Sequence, residues 1–360
     1  MSTELQCAAH SVLMPAFSGL HLDEAVRRHL NQGGVSILLG ETRDEYLSRK
    51  MTFERRRSEA SAHFAQIVEH ATECAGAPVL VAVDQELGGI QRLHQLVPGM
   101  PSADELKTLS SLDIEARSYE MASAARAMGV NLFLAPIVDV VTGRNPWLHN
   151  RHLGPDPAQV SRIACAFIRG VQRAGVIATA KHFPGHYETE QDPAVARATV
   201  PGTVASLKEG LDVFRQVIAV GVKAIMPGPA VFPALDPLQA ASTSRAIIGL
   251  LNETLGFDGL IISDDLDAVS ILRDNSIADT AVSALQAGAH LLLVSSASGL
   301  DDIAQAIVDA VECGHLSREQ LLNASHKVRG LAQASRAQVD AGLYVSYPIP
   351  GGQLTRRVVR

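Results

Sequence analysis

Residues 156–180, DPAQVSRIACAFIRGVQRAGVIATA, contain the repeating unit that decides the fold of this 360-residue chain. In their first part, apolar residues fall three and four positions apart, which is the spacing of an amphipathic helix. Gly175 suits the end of that helix, and the apolar, β-branched run VIATA follows it directly. The stretch therefore predicts a helix followed by a buried strand.

The same unit recurs along the whole chain. Apolar runs predict strands at residues 11–17 (SVLMPAF), 35–39 (VSILL), 79–83 (VLVAV), 131–138 (NLFLAPIV), 176–180 (VIATA), 222–226 (VKAIM), 259–262 (GLII) and 291–294 (LLLV). Helix-like segments lie between them, and Gly129, Gly221 and Gly288 suit further helix ends. Because buried strands that alternate with helices form parallel sheets, these units predict an α/β fold, a single (β/α)8 barrel of the TIM type.

The chain shows no linker rich in Pro, Gly or Ser that would divide it. We therefore predict one barrel domain over residues 1–343, covered in part by helices at residues 317–338, and an extended tail over residues 344–360. The length fits a single barrel with insertions.

Composition and charge exclude several classes of protein. A hydrophobic content of 47% excludes a disordered chain. With 31 Lys and Arg against 38 Asp and Glu, a net charge of −7 and no basic block, we expect neither a nucleic-acid nor a membrane partner.

No targeting segment or membrane span is apparent, which predicts a cytoplasmic protein. Cys7, Cys74, Cys165 and Cys313 are too scattered for a zinc site or a disulfide framework and predict buried, reduced thiols. Amphipathic helices around a barrel leave a monomer and a homodimer open.

Polar residues follow several predicted strands directly, where a barrel places its chemistry. They are Asp84, Gln85 and Glu86 after the third strand, Asp139, Arg144, Trp147, Asn150 and Arg151 after the fourth, Lys181 and His182 after the fifth, and Ser263, Asp264 and Asp265 after the seventh. Such a ring of charges at one end of a barrel predicts a site for a polar ligand.

Two carboxyl groups in different environments suffice for glycoside hydrolysis. Asp264 is the best candidate nucleophile, because it follows a rigid strand and because Lys181 or Arg151 could keep it ionised. Candidate proton donors lie on the loop after the fifth strand: they are Glu188, Glu190 and Asp192.

Other chemistries fit the residues less well. His182 and His186 have zinc-helix spacing, but Pro184 and Gly185 between them disfavour a helix, so we predict no metal site. Lys181 could form a Schiff base, although a hydrogen-bonding cation is the simpler interpretation. The chain has no Gly-x-Ser-x-Gly elbow and no dinucleotide or P-loop motif.

Four segments together resemble the motifs of glycoside hydrolase family 3, specifically its single-domain bacterial β-N-acetylhexosaminidase branch. They are DQELGGIQRL (84–93), APIVDV (135–140) followed by NRHLG (150–154), AKHFPGH (180–186) and LGFDGLIISDDL (255–266). Their order and strand context agree with the family from residue 13 to residue 294.

The resemblance implies retaining hydrolysis of a small glycoside through a covalent glycosyl–Asp264 ester, without metal or organic cofactor. It also implies which residues hold the sugar: Asp84, Arg92, Arg151, Lys181 and His182. The low aromatic content of 4% agrees with a small glycoside rather than a polysaccharide.

The departures from the family pattern concentrate at the same site. In this branch, Asp-Ser-His in the loop after the fifth strand supplies the acid/base pair, whereas this chain has Asp192, Pro193 and Ala194. The other departures are Leu87, Gly89, Pro229, Asp267 and Ala268. Because the barrel pattern is intact, these changes indicate an altered substrate or altered chemistry.

Three hypotheses follow from Ala194. Glu188, Glu190 or His186 supplies the proton instead; or the substrate has a good leaving group that needs little acid assistance; or the chain is a non-catalytic carbohydrate-binding protein on the same barrel. General acid assistance is typically worth about 10²–10⁴-fold in rate, so these hypotheses differ measurably.

Overall fold

Eight parallel strands form a barrel in the computed structural model, which describes residues 2–340. The strands of the barrel are β1 (Leu13–Phe17), β2 (Ser36–Leu39), β3 (Leu80–Val83), β4 (Leu132–Phe133), β5 (Ile177–Phe183), β6 (Ala224–Pro227), β9 (Leu260–Ile261) and β10 (Leu292–Ser295). Neighbours along the chain pair in parallel, and Leu13 of β1 pairs with Leu292 of β10. A parallel bridge between Ile262 and Leu291 joins β9 to β10 and closes the barrel. The predicted (β/α)8 fold is confirmed, and each of the apolar runs overlaps one strand.

Helices surround the barrel and connect its strands. Among the described residues they are α1 (Ser2–Ser11), α2 (Glu24–Asn31), α3 (Arg43–Ser48), α4 (Phe53–Ser58), α5 (Ser61–Ala75), α6 (Ala103–Thr108), α7 (Ser111–Ala127), α8 (Pro157–Arg173), α9 (Lys208–Ala219), α10 (Arg245–Gly249), α11 (Val269–Leu272), α12 (Ile277–Ala287), α13 (Leu300–Glu312) and α14 (Arg318–Asp340). Short 3₁₀ turns lie at His94–Leu96, Val204–Leu207 and Ala241–Thr243, and a π-helical turn at Leu250–Thr254 extends α10.

Helix α8 shows how the sequence sets these boundaries. The Asp156 carboxylate accepts a hydrogen bond of 3.0 Å from the Ala158 N–H, and Pro157 occupies the first turn, where its missing N–H costs nothing. Gly175, with a φ of 81°, takes the left-handed conformation that ends the helix. Gly170 lets α8 approach α7 closely, because a Cβ there would overlap the Glu115 carbonyl oxygen.

Alternate residues of each strand face opposite sides of the sheet. Inward-facing side chains such as Leu38, Leu80 and Leu293 fill the barrel interior, while Ile37 and Val81 pack outward against the helices. The filled interior leaves the carboxyl end of the barrel as the place where polar side chains gather.

The structure differs from the sequence-based prediction in one hairpin and in the burial of the cysteines. An antiparallel hairpin, β7 (Val231–Phe232) with β8 (Asp236–Ala240), was not expected and follows the sixth barrel strand. All four cysteines are free, but only Cys165 is buried, while Cys7 and Cys74 are partly buried and Cys313 is exposed. The prediction of buried thiols is therefore confirmed for Cys165 and wrong for Cys313. The predicted tail, residues 344–360, lies outside the described residues. No helix within residues 2–340 is long and apolar enough to cross a bilayer.

Candidate active site

A cavity of about 610 Å³ opens at the carboxyl end of the barrel strands. Its ionisable lining comes from the ends of five strands and their loops: Glu41, Arg43 and Tyr46 after β2, Asp84 after β3, Arg151 after β4, Lys181 and His182 in β5, and Asp264 and Asp265 after β9. The volume lies in the range of pockets that take small molecules.

Asp264 is held at the cavity wall with one carboxylate oxygen free. Its backbone N–H donates to Ser242 Oγ at 3.0 Å, and its Oδ1 accepts a 2.8 Å hydrogen bond from the Asp265 N–H. Oδ2 has no hydrogen-bond partner within residues 2–340 and lies 4.0 Å from His182 Nε2. Asp264 thus lines the cavity with a rigidly held carboxylate whose buried Oδ2 forms no hydrogen bond within residues 2–340, and a positioned carboxylate is what nucleophilic catalysis requires.

His182 is oriented by a buried carboxylate, Asp139. Asp139 Oδ2 accepts hydrogen bonds from His182 Nδ1 at 2.8 Å and from the His182 N–H at 3.2 Å, while Oδ1 accepts from the His186 N–H at 2.7 Å. Burial opposes ionisation of Asp139, but His182 and His186 more than offset it and hold the pKa of Asp139 below its usual range. Burial also lowers the pKa of His182, so its neutral ring carries the proton on Nδ1 and presents a bare Nε2 to Asp264.

Asp139, His182 and His186 are also the one cluster within residues 2–340 whose ligand atoms lie close enough together to hold a metal ion. Both carboxylate oxygens of Asp139 already accept the hydrogen bonds described above. The geometry of this cluster therefore serves the orientation of the His182 ring.

Two cations and two carboxylates form a network on the opposite side of the cavity. Lys181 Nζ lies 2.6 Å from Asp84 Oδ1 and 2.9 Å from Glu86 Oε1, and Arg151 Nη2 lies 2.7 Å from Glu86 Oε1. Burial disfavours all these charges, but the pairing outweighs it, raising the pKa of Lys181 and Arg151 and lowering that of Glu86. Arg151 Nη1 has no hydrogen-bond partner among the described residues. The two cations can donate hydrogen bonds to sugar hydroxyl groups, and the carboxylates can accept them.

Gly89 explains one departure from the family motif. A Cβ at this position would overlap the Glu86 carboxylate and approach the Arg151 side chain closely. The Glu86–Arg151 ion pair therefore occupies the space that a larger residue at position 89 would need.

Arg92 and His186 lie outside the cavity wall. Arg92 is fully buried, pairs with Glu59 at 2.7 and 2.8 Å, and donates to the Gly40 carbonyl oxygen at 2.7 Å. His186 is fully buried and packs against Trp147 and Phe232. In this geometry Arg92 supports the end of β2 from behind, and neither side chain reaches the cavity.

The carboxylates of the loop after β5 also lie away from the cavity. Glu190 forms an exposed ion pair with Arg144 at 3.1 Å, and the Glu188 side chain lies against Gly143. Asp192 Oδ1 accepts a hydrogen bond of 2.9 Å from the Ala194 N–H. From this loop, Ala194 is the residue that lines the cavity, while the charge of Asp192 acts on Tyr46 of the cavity lining.

Sequence reasoning missed Glu41, which lines the cavity directly beyond β2. Burial, with the nearby charges of Asp84 and Glu86, raises the pKa of Glu41 to about 8, so the side chain is a neutral acid near pH 7. Its Oε2 is buried without a hydrogen-bond partner in the described part of the chain. The rule that polar residues at strand ends line the site would have found Glu41, since it follows the run at residues 35–39 after a single glycine.

Replacing Lys181 by methionine should destabilise the protein by roughly 3–5 kcal/mol near neutral pH, because a buried ion pair then loses its cation. Without that cation, the pKa of the buried Glu86 carboxyl in the folded protein rises, because Lys181 is one of the two charges that hold it down. The loss of stability should therefore shrink as the pH falls to about 5. Urea unfolding near neutral pH and near this lower pH checks both expectations. Lys208→Met, which breaks an exposed pair with Asp212, is the control and should cost about 1 kcal/mol or less. A loss that is equal at both pH values would contradict the expectation.

Comparison with known proteins agrees with this architecture. Residues 10–331 match the sequence profile of the Glycosyl hydrolase family 3 N terminal domain. A Beta-hexosaminidase of Xylella fastidiosa (strain 9a5c) is 34% identical over 254 residues, which cover 68% of this chain and 76% of that protein. A Beta-hexosaminidase of Nitrosomonas eutropha is 28% identical over 297 residues, covering 78% of this chain and 85% of the relative.

Solved structures give the same result. The glycoside hydrolase family 3 beta-N-acetylglucosaminidase of Paenibacillus sp. FPU-7 superposes with a TM-score of 0.82 at 31% identity, covering 98% of this chain and 66% of that one. The Beta-N-acetylhexosaminidase of Beutenbergia cavernae gives a TM-score of 0.81 at 25% identity, covering 91% of this chain and 98% of that one. The profile match spans most of the chain, and the barrel carries a carboxylate-lined cavity at the expected end. The chain is therefore a glycoside hydrolase that belongs to glycosyl hydrolase family 3.

Proposed function

We propose that this hydrolase cleaves small β-linked N-acetylglucosaminides with retention of configuration, through a covalent glycosyl ester on Asp264. The observation that carries the proposal is the free Oδ2 of Asp264, held by a rigid backbone at the wall of the cavity. The names of the relatives, Beta-hexosaminidase and beta-N-acetylglucosaminidase, support the choice of substrate class.

The charged network positions the sugar ring. Lys181 and Arg151 donate hydrogen bonds to hydroxyl oxygens, and Asp84 accepts hydrogen bonds from hydroxyl groups. Glu41, as a neutral acid, can do both. Because these groups are fixed by their ion pairs, they bind the ring without reorganising, which keeps the anomeric carbon in front of Asp264.

The reaction then proceeds in two steps. Asp264 Oδ2 attacks the anomeric carbon while the bond to the aglycone oxygen breaks and an acid protonates that oxygen. Water next attacks the same carbon, a base takes the proton of the water, and Asp264 is released. The neutral His182 ring holds its Nε2 4.0 Å from Asp264 Oδ2 and helps to define the wall on which the sugar ring lies. We infer that Ala194 stands where the family places its acid/base histidine, so another group of this chain moves the proton.

A panel of nitrophenyl β-glycosides that differ only at the second carbon tests the substrate class. We expect hydrolysis of the N-acetylglucosaminide to exceed that of the glucoside, and we expect NMR to show the β-anomer of the sugar as the first product. A first product of α configuration would contradict the retaining mechanism. Binding of the sugar without turnover of any glycoside would instead support a non-catalytic carbohydrate-binding protein.

A further inference from the structure

We propose that Asp265 is the group that donates the proton to the departing aglycone and accepts it back from water. The proposal rests on the proposed role of Asp264 as nucleophile. Asp265 directly follows Asp264 and lines the same cavity, with its side chain open to solvent there. Its Oδ1 accepts a 3.2 Å hydrogen bond from the Asp267 N–H, and its Oδ2 makes no hydrogen bond within residues 2–340. Asp265 thus lines the cavity next to the nucleophile and has one carboxyl oxygen that no described residue occupies.

The other ionisable groups of the cavity wall are less suited to this step. Lys181 and Asp84 are paired with each other. The neutral His182 ring carries its proton on Nδ1, where it bonds to Asp139, so the Nε2 that faces Asp264 has no proton to give. The charges that act on the pKa of Glu41 are those of Asp84, Glu86, Lys181 and Arg92. Glu41 therefore belongs to the charged network and does not lie beside Asp264. Asp265 is the remaining carboxyl next to the nucleophile.

The surroundings of Asp265 favour its protonated form near neutral pH. Partial desolvation at the cavity wall and the charges of Asp267 and Asp264 raise the pKa of Asp265 to about 7, while the hydrogen bond from the Asp267 N–H and the charge of Arg43 act in the opposite direction. Two neighbouring carboxyls whose environments differ in this way are suited to act as acid and nucleophile.

Positions that depart from the family motifs border Asp265. Asp267 is fixed beside it, because its Oδ2 accepts from the Ser295 N–H and its Oδ1 from Ser298 Oγ, both at 2.7 Å. Ala194 and Ala268 line the cavity with Asp265, and their small side chains leave room for an aglycone there. Asp267 therefore supplies a charge that favours the protonated form of Asp265. Ala194 and Ala268 leave space next to Asp265.

Asp265 gives up one proton in the first step of the reaction and takes one proton back in the second step. In the first step its O–H proton passes to the aglycone oxygen as the glycosidic C–O bond breaks and the Asp264 ester forms. In the second step the Asp265 carboxylate takes a proton from the attacking water, whose oxygen displaces Asp264 from the anomeric carbon. The enzyme returns to its starting state without a further reactant.

The variant Asp265→Asn tests the proposal on β-N-acetylglucosaminides with two leaving groups. For the phenyl glycoside, which needs acid assistance, kcat/KM should fall by about 10²–10⁴-fold, whereas for the dinitrophenyl glycoside it should change by less than about 10-fold. Added azide should form the β-glycosyl azide with this variant. The decline of wild-type kcat/KM with the phenyl glycoside as the pH rises through about 7 should disappear.

Asp267→Asn provides a second readout that keeps Asp265 intact. Removing the neighbouring charge should move the alkaline decline of kcat/KM to lower pH, because the protonated form of Asp265 is then less favoured. Asp302→Asn, an exposed carboxyl on α13, is the matched control and should change neither the leaving-group dependence nor the pH profile.

Two results would overturn the assignment. One is an equal effect, or none, of Asp265→Asn on the two glycosides; the other is the leaving-group pattern appearing in Glu188→Gln, Glu190→Gln or Glu41→Gln instead. The proposed function is judged separately: it fails if the wild type does not hydrolyse the dinitrophenyl glycoside or if Asp264→Asn still does.

Discussion

Replacing Asp264 by asparagine is expected to lower kcat by at least about 10⁴-fold, because an amide cannot form the glycosyl ester through which both steps run. The fold should persist, since the amide oxygen of Asn can still accept the hydrogen bond that Asp264 Oδ1 receives from the Asp265 N–H. The measurement is the rate on the dinitrophenyl glycoside, whose good leaving group makes the reaction depend mainly on the nucleophile.

Covalent trapping provides the direct check on Asp264. A fluorinated sugar with a good leaving group should add one glycosyl unit to the wild-type protein, and peptide mass spectrometry should place it on Asp264. Asp302→Asn is the control and should label as the wild type does. Undiminished turnover in Asp264→Asn, or a label on another carboxyl, would remove the mechanism.

Replacing Asp139 by alanine is expected to reduce both stability and activity. The change removes the acceptor of three hydrogen bonds from buried donors, the His182 N–H, His182 Nδ1 and the His186 N–H. At about 1–3 kcal/mol for each unsatisfied buried group, the loss of unfolding free energy should be on the order of 3–6 kcal/mol. A His182 ring without its partner loses its tautomer and orientation, and kcat should fall by roughly 10²–10⁴-fold.

Urea unfolding and kcat measured on the same samples check this expectation. Asp139→Asn is informative, because it keeps one acceptor oxygen and should be more stable than the alanine variant while still losing activity. Asp302→Ala, an exposed carboxyl, should cost about 1 kcal/mol or less. Wild-type stability in Asp139→Ala would show that the buried hydrogen bonds contribute little.

Hydrophobic periodicity predicts the strands of this barrel well because each strand is buried on both faces. Strand boundaries are less accurate: the run at residues 131–138 yields a strand of only two residues, and the chain continues through a single bridge between Ile137 and Lys181. The β7–β8 hairpin escaped prediction, since Asp236–Ala240 is mostly exposed and begins Asp-Pro, a pattern typical of turns.

The position of a residue after a strand predicts that it lies at the barrel mouth but not where its side chain points. Lys181, His182, Asp84, Arg151 and Asp264 line the cavity, and their proposed roles remain predictions. Arg92 belongs to a sugar-binding motif by resemblance, yet its partner Glu59 lies 33 residues earlier, and nothing in the local pattern reveals that pairing. The placement of Glu188, Glu190 and Asp192 depends on how one irregular loop folds, which periodicity does not describe.

Strand β5 continues past Ala180 to Phe183 and therefore carries Lys181 and His182 as adjacent residues on one rigid segment. Lys181 contacts Asp84 and Glu86. His182 contacts Asp139 and faces Asp264. A slip of one residue along this strand would put one of the two side chains in the place of the other and Ala180 or Phe183 in the second place, which would disable both halves of the reaction together. New preferences for a sugar or an aglycone are therefore more accessible through the loops that follow β2 and β5, which can be redesigned one at a time while this strand is kept unchanged.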